Sequence, residues 1–377
     1  MTKEPESHKK LREKEADTDD IEIEPEDDIN HEPFDPTKIR VDTRIMTIDL
    51  VIKRIKYDEI NLAPNFQRQA NIWTPKAQSR LIESILIRIP LPAFYLDATK
   101  DDQWVVIDGL QRLSALKKFV VDQNLKLIDL EFLKELEGKT YDELSRNYQR
   151  RIDEAELNIY LIAKGTPPKV KFNIFRRINT GGLPLSPQEL RHAINPGKAT
   201  PFLRRLAEYQ EFLKLTKLSE KRKKRIEDHE FVLGFVAFCL TDYSQYSDNE
   251  GRDVFLDNAM EKINKLTEEE ENALENYFLL SMSRAEKIFG EEAFRKPSKP
   301  NHKRYPLNRS LFEAWSVELS KLNPKQAEKL IQNKEYLKDR FLYYFENDKE
   351  FEKSISQAAN KVRKRFDTIG KIIQESL

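Results

Sequence analysis

The stretch Val105-Val106-Ile107-Asp108-Gly109-Leu110-Gln111-Arg112-Leu113 passes from a β-favouring apolar run, through a glycine turn, into residues at helical spacing. Such a unit makes a place for phosphate. Unpaired N–H groups and the dipole at a helix start favour an anion, and Arg112 could grip it bidentately. Asp108 could hold a metal ion or orient a ribose hydroxyl or a water. Taken alone, the spacing equally fits Arg112 as a surface cation and Asp108 as a turn residue. A second Gln-Arg pair, Gln67-Arg68, follows the extended segment Pro64-Asn65-Phe66. Asn179-Thr180-Gly181-Gly182 offers a third polar turn, or simply a left-handed helix cap.

These residues need elements to hold them. Ile39, Val41, Ile45 and Ile48 supply the first apolar positions, and a helix is expected over 47–56. Thr74 as N-cap with Pro75 behind it starts a second helix, running to about Arg88, whose apolar face is Leu81, Ile82, Ile85, Leu86 and Ile89. Pro90 and Pro92 stop it. Residues 93–96 and 104–107 are expected as paired strands, 110–120 as a helix, 157–163 as a further buried strand, and 170–178 as a helix ending at Asn179. Ser186, Pro187 and Glu189 form a capping box for the next helix. Beyond about residue 195 the pattern becomes long Lys-, Glu- and Leu-rich helical segments, among them 201–224, 228–240 and 267–290. The fold class is therefore α+β: a mixed domain over 36–197, then an all-helical domain over 198–377.

The 377 residues carry no net charge, with 65 basic and 65 acidic side chains, yet the balance is uneven. Residues 1–35 hold 14 acidic against 5 basic residues, leaving the rest of the chain at +9. No basic residue occurs from Glu15 to Asp35 and apolar residues are sparse, so 1–35 is expected as a disordered acidic tail. The longest apolar run, residues 231–240, is about half the roughly 20 residues of a membrane-spanning helix. The N-terminus lacks the apolar core of a secretory signal, and a single Cys239 allows no internal disulfide. Both features fit the cytoplasm.

Three basic clusters could neutralise nucleic-acid phosphates: Lys221-Arg222-Lys223-Lys224-Arg225, the stretch from Arg295 to Tyr305, and Lys361 to Arg365. Each is also an ordinary solvated charge run. Asp228-His229-Glu230 is capping chemistry at a helix start before it is a metal site, which leaves the metal ligands unassigned. His192, Cys239, Trp104 and Trp315 are expected as packing residues.

Together the motifs resemble a known family. Pro64-Asn65-Phe66-Gln67-Arg68, Trp73, Leu81-Ile82-Glu83-Ser84-Ile85-Leu86 with Ile89-Pro90, Val106 to Leu113, Phe175 to Gly182 and Leu185 to Arg191 occur in the order typical of the GmrSD-type N-terminal domain. The resemblance covers roughly residues 40–195 and implies a ParB/sulfiredoxin-like fold. It further implies a nucleotide-binding domain used in modification-dependent DNA restriction and phage defence, with nucleotide hydrolysis left open. Asp108, Gln111 and Arg112 carry over as the catalytic signature. Gln67, Arg68, Asp108, Gly109, Gln111, Arg112 and Asn179 carry over as the nucleotide site, with a nucleoside triphosphate and Mg²⁺ as its ligand. Leu110 stands where glutamine is usual, which removes one polar contact and weakens hydrolysis more than binding. Longer members add a His-Asn-His nuclease; the five histidines here, His8, His31, His192, His229 and His302, lack its spacing. The expectation is a DNA-interacting, nucleotide-binding component, with a protein partner or a second copy as further associates. The alternative is a non-enzymatic adaptor beside a separate nuclease.

Overall fold

In the computed structural model the described residues are 21–22, 40–62, 73–99, 102–163, 166, 174, 186–195, 197–247, 251–298, 304–355 and 361–377. Two units divide between Thr200 and Pro201, with residues 1–30 grouped with the second.

The first unit is built on a mixed sheet of β1 (Val41–Thr47), β2 (Ile60–Asn61), β3 (Phe94–Ala98), β4 (Trp104–Asp108) and β5 (Glu156–Ala163) in the order β1-β5-β3-β4-β2. β3 is antiparallel to β4 and parallel to β5, while β1 pairs antiparallel to β5. β1 was expected only as scattered apolar positions. It is an edge strand with Ile45 64% exposed, so no buried alternation marks it; its register comes from β5, over a hundred residues away.

Helix α1 (Ile48–Lys56) is capped by Thr47, whose hydroxyl accepts from Leu50 N. Helix α2 (Pro75–Leu86) starts at the anticipated Thr74 cap. Its buried face, Leu81, Ile82, Ile85 and Leu86, joins Ile52, Leu96, Trp104, Leu113 and Phe119 in one core. Each such side chain contributes about 1.5–3 kcal/mol on burial, and Ile82→Ala would leave a cavity costing about 2–5 kcal/mol. Helix α3 (Leu110–Leu116) continues as a π-helical segment, Lys117–Val121. Helix α4 (Arg146–Asp153) packs against α2, and α5 (Pro187–Ile194) lies on β4 through Leu190 and Ile107. The Ser186–Glu189 capping box is present in both directions. Of the helix expected over 170–178, only Ile174 is described.

The second unit is helical. The single helix expected over 201–224 is instead three, α6 (Ala199–Ala207), α7 (Gln210–Thr216) and α8 (Glu220–Lys224): the backbone extends at Tyr209 before α7, then Lys217 turns left-handed (φ 49°) and Ser219 stands at the N-cap of α8. Next come α9 (Glu227–Leu240), α10 (Arg252–Ile263), α11 (Glu268–Phe289), α12 (Arg309–Ser320), α13 (Pro324–Gln332), α14 (Lys334–Asn347), α15 (Lys349–Ile355) and α16 (Val362–Ser376). Rings of Phe212, Phe231, Phe235, Phe278, Phe294 and Phe312 interlock at its centre, each 4.7–5.8 Å from a neighbour. Among the described residues no helix is long and apolar enough to cross a membrane.

Two residues of the expected acidic tail belong to this unit. Ile21 is 2% exposed and bridges Leu307, and Glu22 accepts from Lys296 at 2.6 Å and from Asn308 Nδ2 at 2.9 Å. An acidic average composition conceals a local anchor of one aliphatic and one correctly placed carboxylate. The remainder of 1–35 lies outside the described residues.

Candidate functional site

The turn after β4 is fixed by sterics. Gly109 has φ 98°, and a β-carbon there would sit 2.3 Å from Phe94 Cδ1 and 3.3 Å from the Arg112 Nη2. Only glycine fits both the conformation and the space. Gly109 is the N-cap of α3, and the helix starts beside Asp108 without a side-chain cap. A register irregularity between Tyr95 and Leu96 on β3 sits directly opposite, with Tyr95 paired to Asp108.

Arg112 is 9% exposed. Its Nη2 donates to Asp108 Oδ2 at 2.8 Å and to Ala93 O at 3.0 Å, its Nη1 donates to Pro92 O, and its plane lies 4.3 Å over the Phe94 ring. Burial pulls this guanidinium below its ordinary range, and the adjacent Asp108 charge offsets part of the effect. The expected bidentate grip on a phosphate is thus already spent on the protein. Arg112 ties the Pro92–Ala93 entry of β3 to the end of β4 and orients Asp108, whose side chain stays 32% exposed.

Gln111 contacts the residue ahead of the α2 cap. Its Oε1 accepts from Trp73 N at 3.3 Å, and Trp73 O accepts from Gln78 Nε2 at 2.9 Å. Trp73 is thereby held directly against α3. Gln67, Arg68 and Asn179 themselves lie outside the described residues.

Tyr95 and Tyr160, absent from the sequence expectation, stack at 4.9 Å on adjacent strands beside Asp108. Burial, then Tyr160 and Asp108, raise the Tyr95 hydroxyl above its ordinary value. The available signal was alternation: Tyr95 falls between Phe94 and Leu96, so it must face the opposite side of the sheet.

A cage for a metal ion made by the protein alone does not fit: among the described residues no group of three or more His, Cys, Asp or Glu could hold one. A magnesium ion carried by phosphates and touched by one carboxylate does fit, since Asp108 has one oxygen on Arg112 and the side chain is partly open.

In the helical unit the cluster 221–225 lies on α8, which buries none of its residues, with Lys221 and Lys224 exposed. Lys223 pairs with Glu220 at 2.9 Å. Arg222 pairs with Glu227 at 2.7 Å, and from there Arg309, Glu230, Arg252 and Glu313 continue an ion-pair chain inward. Among the described residues, the other two basic clusters are largely consumed by the fold. Arg295 is buried on the carbonyls of Leu215 and Ala293, Lys364 pairs with Asp348, and Arg365 is wholly buried on Ser354 O. Lys361 pairs with Glu350 at 2.5 Å. His192 is buried, as anticipated, and burial pushes the Cys239 thiol up to about 12, away from nucleophilic use.

Residues 49–195 match the family model described as GmrSD restriction endonuclease, N-terminal domain, which spans the first turn of α1 to the close of α5. No curated protein and no solved structure matches the chain.

Proposed function

With residues 49–195 a GmrSD restriction endonuclease N-terminal domain and the chain accordingly a component of restriction or phage defence, we propose that it binds a nucleoside triphosphate with Mg²⁺ at the β4–α3 turn and acts on DNA. The observation that carries this is the Asp108–Gly109 turn: a partly open carboxylate at the start of a helix that has no side-chain cap, with glycine enforced by the Phe94 ring. In this arrangement the α3 N–H groups and Gln111 meet the phosphates, Asp108 meets the metal ion or a ribose hydroxyl, and Arg112 positions Asp108. Lys221 and Lys224 supply the exposed charge for duplex phosphates.

A second reading, a binding module without turnover, draws support from Arg112. Its guanidinium is held by two carbonyls and Asp108, so Arg112 is not a mobile cation able to neutralise charge developing on a transferred phosphoryl group. Leu110 in place of an amide points the same way.

Calorimetric titration of a nucleoside-triphosphate panel with Mg²⁺, followed by assay of phosphate release, separates these readings. Binding lost in Asp108→Asn and Gln111→Ala, with melting temperatures retained, supports the site; accompanying release of phosphate makes it an NTPase. Undiminished binding in both variants refutes the site.

A further inference from the structure

Trp73 forms one wall of a cleft of about 700 Å³ lined also by Pro75, Gln78, Lys118, Asn124 and Lys126. Apolar Leu125 and Ile128 also line the cleft. Two lysines and several amides face it, and among the described residues no carboxylate lines it. Neither Lys118 nor Lys126 enters an ion pair with the described residues, in a protein whose other basic clusters are mostly paired. Trp73 packs against the core yet is only half-buried, whereas Trp104 and Trp315 are 5% and 1% exposed, so of the three tryptophans it is the one with surface left for a ligand.

The cleft is rigidly built. Trp73 is pinned through its backbone on both sides, by Gln111 at 3.3 Å and Gln78 at 2.9 Å. Lys118 projects from the π-helical segment Lys117–Val121, whose wide turn is closed by Asp122 N donating to Lys117 O at 3.0 Å. The far wall is held by Ser79, whose hydroxyl accepts from Ile128 N at 3.0 Å.

An accessible indole flanked by unpaired lysines and side-chain amides is the chemistry of single-strand recognition: bases stack on the ring while the cations follow the phosphates. We propose that this cleft binds an unpaired DNA strand, with a base on Trp73 and backbone phosphates on Lys118 and Lys126. The proposal rests on the DNA-interacting reading above but uses a different surface from Lys221 and Lys224. Through Gln111, Trp73 also abuts the nucleotide turn, so strand and nucleotide sites share one hydrogen-bonded residue.

The test titrates the full chain with an oligothymidylate, reading intrinsic tryptophan fluorescence, and with its fluorescein-labelled form, reading anisotropy across a salt series. Wild type should show saturable quenching. Trp73→Phe should bind with little loss and no quenching. Trp73→Leu should bind about tenfold or more weakly. Lys118→Glu with Lys126→Glu should flatten the logarithmic salt slope by roughly 0.7 per lysine. Thermal melts check that each variant folds, and the phenylalanine and lysine variants decide the matter if the leucine variant does not. Binding that ignores the cleft variants but weakens in Lys221→Glu with Lys224→Glu overturns the proposal and leaves DNA contact standing. No oligothymidylate binding by wild type overturns it as well, and duplex titration then decides the broader DNA reading separately.

Discussion

Arg112 donates to Asp108 at 2.8 Å from a position nine-tenths buried, so the more exposed member of the pair is held in place by the more buried one. The two residues therefore answer different experiments. Arg112→Ala strands the carbonyls of Pro92 and Ala93 and leaves Asp108 unpaired, and should lower stability by about 3 kcal/mol in urea unfolding. Arg112→Lys should recover only part, because an ammonium cannot span two carbonyls and a carboxylate in one plane. Asp108→Asn keeps an acceptor and should cost about 1 kcal/mol or less. A near-neutral Arg112→Ala would show that the guanidinium does not support the turn.

Gly109→Ala should be among the most damaging small substitutions in the first unit. The added methyl meets Phe94 at 2.3 Å and the backbone is left-handed, so strain and clash add to roughly 2 kcal/mol or more. Combining it with Phe94→Leu should return part of the loss, since the smaller side chain yields space but not the φ. Chemical denaturation of the two single variants and the double variant measures this coupling.

Much of this site was legible from local chemistry. Thr74 with Pro75 and Ser186 with Glu189 announce helix starts within one turn of sequence, and the structure has both. The Val-Val-Ile run before Asp108-Gly109 likewise reads directly as strand and turn. What stayed hidden depends on distant partners. Arg112 reads as a surface cation because nothing in its neighbourhood reveals the Pro92 and Ala93 carbonyls 20 and 19 residues earlier. Arg295 and Arg365 read as members of basic patches for the same reason, while their acceptors, Leu215 O and Ser354 O, belong to other helices or loops. A charge count weighs every arginine as solvated; tertiary carbonyls decide which ones are.

In the second unit Gly234 makes room for a buried charge. A β-carbon there would lie 2.5 Å from Glu313 Oε1, the oxygen that also accepts from Arg252 Nη2 at 2.5 Å. Gly234→Ala would normally favour a helix, yet it must displace a carboxylate that is 2% exposed and paired. The expected result is a net loss of about 2 kcal/mol, seen as a lower melting temperature of the full chain. A stabilised Gly234→Ala protein would mean that Glu313 can move without losing Arg252.

Glu83 gives a pH signature. It is 2% exposed at the end of α2, and its carboxylate accepts from the backbone N–H groups of Glu131, Phe132 and Leu133 at 2.7–2.9 Å. Burial alone raises its pKa, but the three N–H donors and the Arg80 charge together outweigh it and hold the carboxyl below its ordinary 4.5. Because the folded value is the lower one, the ionised group stabilises the fold fully above about pH 4.5, and that contribution fades as pH falls through the folded value. Glu83→Gln replaces one acceptor by a donor facing N–H groups, and should cost about 2 kcal/mol at pH 7. The wild-type advantage should then shrink as the pH is lowered below 4.5, because protonation imposes the same loss on the wild type. Urea midpoints of both proteins between pH 7 and pH 3 measure the difference; a gap that stays constant with pH would mean that Glu83 is not ionised on those amides.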